Sequence, residues 1–214
     1  MKKIYSLLLS VCLLTTGCQR FYNSALENVL GFEKRELLQK SVQSVKTDQV
    51  KAQEEFQDAM TELKKLYGFD GGNLEKMYNK FKGAYEDSSE QAGKVNERVD
   101  NMNRIAKSMF SEWSGEIRQY ESKEFAADSQ RKLDLTRERY EVLIKSARES
   151  EAAMKPILKK LNDHVLYLKH NLNAASVGAI QGETKSIQTD VEELTRRMNE
   201  SIREADNFIQ LLGT

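Results

Sequence analysis

The sequence predicts an all-α protein, an elongated antiparallel bundle of long, coiled-coil-like helices. Apolar residues recur at alternating three- and four-residue steps over four long stretches. The chain has a single proline and eleven glycines in 214 residues, and helix interiors exclude both types. Charged residues make up 31% and hydrophobic ones 39%, which is too polar for a large spherical core and too apolar for disorder. A bundle in which every helix keeps a wide wet face satisfies both numbers.

Residues 1–17 read as a targeting leader rather than as part of the fold. Lys2 and Lys3 precede an uncharged apolar run from Ile4 to Leu14. As a helix that run would be about 17 Å long, well short of a ~30 Å hydrocarbon core. Leu14-Thr15-Thr16-Gly17-Cys18 follows and resembles the bacterial lipobox, in which small residues precede a cysteine. That resemblance implies diacylglycerol on the Cys18 thiol and cleavage just before it. Thr15 stands where the motif most often has leucine. Gln19 is not the aspartate that holds enteric lipoproteins in the inner membrane, so the resemblance favours the outer membrane. Cys12 goes with the leader, and Cys18 is the one remaining cysteine, so a disulfide within the mature chain is excluded by count.

Residues 18–36 are expected to form the lipid anchor and a membrane-proximal segment, and 37–214 the helical bundle. Tyr22, Ala25, Leu26, Val29 and Leu30 make a separate apolar stripe in the first of these. Its polar face is poor in basic residues until Lys34-Arg35, so packing on the end of the bundle is preferred to lying on the membrane.

The first seam runs from Leu38 through Val45, Gln49, Phe56 and Leu63 to Leu66, predicting a helix over 21–67. Tyr67-Gly68-Phe69-Asp70-Gly71-Gly72-Asn73 is the clearest turn, with Asn73 suited to cap the next helix. The second seam, from Leu74 through Phe81, Val95 and Met102 to Trp113, predicts a helix over 73–121. Glu121-Ser122-Lys123-Glu124 is a weaker polar corner. The third seam, Leu133 to Leu161, predicts 125–171, with a kink at Pro156 that absorbs a change of seam phase. The last, Val177 to Leu212, predicts 174–212, with Asn173 as its cap. Near-equal lengths favour four helices over three, the alternative being one unbroken helix from 125 to 212.

The residues offer little chemistry. Mature net charge is -2 and charges are interspersed, so no basic field exists for nucleic acid. His164 and His170 lie six apart, on different faces of one helix, where they cannot share a metal; each is expected at the surface or an interface. Phosphate-binding glycine loops, nucleophile elbows and Glu-x-x-His pairs are missing from the sequence. No cofactor, metal or small-molecule substrate is indicated. The polar cluster at Lys169, His170, Asn171 and Asn173 is the one candidate for a partner-binding corner; as a plain helix corner, its amides would satisfy backbone groups.

Three segments resemble a family of uncharacterised Gram-negative envelope proteins, a domain of unknown function. They are Gly31 with Lys34-Arg35-Glu36-Leu37-Leu38, then Phe69-Asp70-Gly71-Gly72 with Leu74-Glu75 and Tyr78, and Val165-Leu166-Tyr167-Leu168-Lys169-His170-Asn171-Leu172-Asn173-Ala174. The resemblance covers nearly all of the mature chain and implies a helical fold in the envelope, without assigning an activity.

The expected role is therefore a lipid-anchored structural or adaptor protein, facing the periplasm and contacting envelope proteins. A helical pore-forming or membrane-remodelling protein is the runner-up, though the mature chain has no strongly apolar hairpin to insert. An enzyme ranks last. The ending Gly213-Thr214, rather than lysine, gives no sign of a covalent link to the cell wall.

Overall fold

The computed structural model describes residues 15–69 and 71–213, with side chains from Lys34 onward except at Ile180 and Gln181. Residues 1–14 of the expected leader, the side chains of the stripe from Tyr22 to Leu30 and the Cys18 thiol lie outside that description. The described chain is all-helical: α1 is Thr15–Tyr67, α2 Leu74–Ile117, α3 Lys123–His170, α4 Ala174–Ile180 and α5 Thr184–Gly213. A 3₁₀ turn, Gln181–Glu183, joins the last two.

The helix ends follow from local chemistry. After α1, the N–H of Gly68 donates to the Lys64 carbonyl at 3.0 Å, and Gly71 and Gly72 turn the chain with φ of 137° and 106°. Those angles suit residues without a Cβ. The Asn73 side chain then accepts from Lys76 N–H at 2.8 Å and starts α2. Ser122 caps α3 in the same way, through Phe125 N–H. Two ends differ from the sequence-based expectation. α2 stops at Ile117 rather than near 121, because Arg118 already closes it as C-cap, and α3 starts two residues early. Pro156 lies inside α3 without ending it. Its ring is on the exposed face, where the carbonyl it deprives of a partner is close to solvent.

The stretch expected as one helix over 174–212 is divided. Gly178 and Gly182 weaken it as a helix, and the 3₁₀ turn falls between α4 and α5. The chain also breaks between His170 and Ala174, and α5 packs back on α3, with Lys160 Nζ 2.5 Å from Asp190.

α1 packs on α2 and α5, and α3 packs on the same two. Along each contact the numbers rise on one helix and fall on the other. Asp48 meets Arg98 while the Glu55 carbonyl meets Ser88. Asn103 meets Tyr140 while Trp113 meets Ser129. Lys46 meets Asp206 while Gln53 meets Asn199.

The seam residues form one core. Phe56, Phe81, Phe208, Met102 and Leu143 are at most 1% exposed, and burying each such side chain contributes roughly 1.5–3 kcal/mol. Phe110, Tyr140 and Phe208 stack edge to face across α2, α3 and α5. A polar layer interrupts this core. Gln49 Nε2 donates to Ser150 Oγ at 2.7 Å and to Ser201 Oγ at 3.0 Å, all three side chains being fully buried. A slip of one heptad in α1, α3 or α5 would leave these groups unpaired among apolar side chains, so the layer fixes register.

Candidate functional site

The C-terminal end of α1, the start of α2, the end of α3 and the α4 segment come together at one end of the packed helices. Tyr67, the last residue of α1, reaches His164 on α3, with its hydroxyl 2.5 Å from Nδ1. His164 Nε2 lies 3.1 Å from a Glu183 carboxylate oxygen in the 3₁₀ turn. On α2, the Tyr78 hydroxyl donates to the Val165 carbonyl at 3.3 Å. Residues almost a hundred apart in sequence are thus tied by one chain of polar contacts.

His164 is 2% exposed, so the expectation of a surface or interfacial histidine is corrected for this residue. The change of seam phase expected around Pro156 does not occur: the three- and four-residue rhythm of buried residues runs unbroken through Met154, Ile157, Leu161, His164 and Leu168. That rhythm puts 161, 164 and 168 on the core face, with 165 beside them, all of them buried. His170, two residues past that seam, is exposed.

The electrostatics assign the protons. Burial pushes the Tyr67 phenol well above its ordinary range, so it stays an O–H donor. In the neutral ring, Nδ1 therefore accepts from Tyr67 and Nε2 carries the hydrogen that goes to Glu183. Both ring nitrogens are engaged, and a phenol held protonated is a poor nucleophile. This array positions the segments that carry it. The pattern was hard to find beforehand, because its three members sit on three elements at unrelated spacings.

The corner predicted from sequence lies beside the array. Lys169, His170, Asn171 and Asn173 are exposed. Asn171 Nδ2 donates to the Tyr167 carbonyl at the end of α3 over 2.9 Å. Asn173 Oδ1 accepts from Ser176 N–H at 3.0 Å and so caps α4. Both amides satisfy backbone groups, as a plain helix corner requires. Two apolar neighbours are not accounted for in this way: Leu166 and Tyr167 are 52% and 41% exposed.

A family model described as a protein of unknown function, DUF2959, matches residues 21–212. The chain belongs to that family. No curated protein and no solved structure matches it. Within this DUF2959 chain, two of the three segments that carried the family resemblance meet at the end just described, through the contact of Tyr78 with Val165.

The opposite end is held by other means. Arg35 lies over the Trp113 ring, whose Nε1 donates to Ser129 at 2.8 Å, and Lys34 pairs with Glu112 at 2.7 Å. Among the described residues no group of three or more His, Cys, Asp or Glu side chains could hold a metal ion. No described helix is long and apolar enough to cross a membrane.

Proposed function

We propose that the chain is a lipoprotein of the bacterial cell envelope, anchored through acylated Cys18 and acting as a structural or adaptor rod. Its body would be an elongated antiparallel four-helix bundle with coiled-coil-like seams. At ~1.5 Å per residue, helices of 44 and 48 residues make such a rod roughly 65–70 Å long. The anchor belongs at one end, near the start of α1. The partner-binding corner, Lys169, His170, Asn171 and Asn173, belongs at the other, and its partners are envelope proteins. The outer membrane, with the rod facing the periplasm, is the preferred location.

The observation that carries this reading is the exposure of Leu166 and Tyr167 at the end of α3, the end remote from Cys18. α3 also exposes Phe125, Leu135 and Val142, but Leu166 and Tyr167 are the pair that lies beside the polar corner. An exposed aliphatic and an exposed aromatic beside donors and acceptors suit a protein partner better than bulk water. Replacing Cys18 tests the anchor: with Cys18→Ser, label from a fatty-acid analogue is expected to vanish and the precursor to persist. Undiminished label on the serine variant would overturn the lipoprotein reading.

A further inference from the structure

Among the described residues, the α4 segment has little to hold it. Residues 171–182 are twelve in a row without a charge, and Gly178 and Gly182 are among them. A seven-residue helix is not stable by itself in water. Among the described side chains of 174–183, Val177 alone is buried, at 2% exposure; Ala174, Ala175, Gly178 and Ala179 are exposed. The flanks are different. Leu168 before it and Ile187 and Val191 after it are core residues exposed by no more than 2%.

One side-chain contact fastens the far end of this segment, the bond between Glu183 and His164 Nε2.

We infer that residues 174–183 form a flap that opens as a unit, hinged at Asn171–Asn173 and at Thr184, with the Glu183–His164 bond as its latch. Opening withdraws Val177 from the core and bares the apolar side chains that it covers. This end of the molecule therefore exposes more apolar surface in the open form than in the closed one. This device needs no partner, so it stands or falls independently of the adaptor role.

Hydrogen exchange of the full chain under native conditions tests it. Amides of 175–183 are expected to exchange together, more slowly than a free peptide but faster than those of 190–208. Glu183→Ala is expected to speed exchange in the flap about three- to tenfold, the range for losing a hydrogen bond to a charged but exposed group. Glu183→Gln keeps an oxygen that accepts from Nε2–H and should restore most of the protection. Gly178→Ala adds a Cβ that meets nothing within 4 Å and should slow exchange there about two- to fivefold. The core amides of 190–208 should not respond to any of the three. Exchange in 175–183 that ignores Glu183→Ala, that Glu183→Gln fails to rescue, or that changes only together with 190–208 would overturn the latch.

Discussion

At the scale of single residues, the same substitution has opposite consequences at two glycines. Gly93 is exposed in the middle of α2, and a Cβ there would touch nothing within 4 Å. Alanine loses less backbone freedom on folding, so Gly93→Ala should stabilise the protein by about 0.5–1 kcal/mol. Gly72 has the same free space but a φ of 106°, which side-chain-bearing residues rarely adopt. Gly72→Ala should destabilise by about 1–2 kcal/mol. Denaturant melts of the two variants check both signs, and equal shifts would mean that the turn does not depend on the backbone angle. His164 belongs to this scale too. A histidine in sequence carries no mark of burial, and only its place on the unbroken seam after Ile157 and Leu161 distinguishes it from His170.

At the scale of elements, α5 shows how much its surface charges do. Glu193 accepts from Arg196 and Arg197 on the next turn, at 2.8 Å each. These bonds lower its pKa from the ordinary 4.5 to about 2. A depressed carboxylate stabilises the fold above its unfolded value and loses that contribution as pH falls through the folded one. Acid should therefore remove the Glu193 contribution between pH 4.5 and about 2, and because the group is exposed the effect is small. Melts of the wild type and Glu193→Gln should differ at neutral pH and converge at pH 2; a constant difference would mean that the arginines do not hold the carboxylate. The long helices themselves were legible, because a three- and four-residue rhythm survives Gln49, Ser88, Ser150 and Ser201 on the seam. The caps at Asn73 and Asn173 were legible from residue type. The break at 181–183 was not, since Gly178 and Gly182 each cost little alone and Val177 and Ile187 keep an apolar rhythm across it. The Tyr67–His164–Glu183 array was invisible because its members are joined only by packing.

At the scale of the whole molecule, the two ends differ in kind. One is clamped by Arg35, Trp113, Ser129, Lys34 and Glu112. The other gathers two turns, the α4 flap, a buried histidine and the exposed pair Leu166 and Tyr167. Between them, the layer of Gln49, Ser150 and Ser201 locks three helices in register. If Cys18 carries lipid, the clamped end faces the membrane and the other stands away from it. Energy transfer from dyes on the chain to acceptor dyes on lipid headgroups measures this directly, with the acylated protein in vesicles. A dye at Ser122, in the turn between α2 and α3, should transfer strongly. A dye at Asn171, roughly 70 Å away along α3, should transfer almost nothing. Equal transfer from the two positions, or no association of the protein with vesicles, would contradict an anchored rod that holds its far end out to partners.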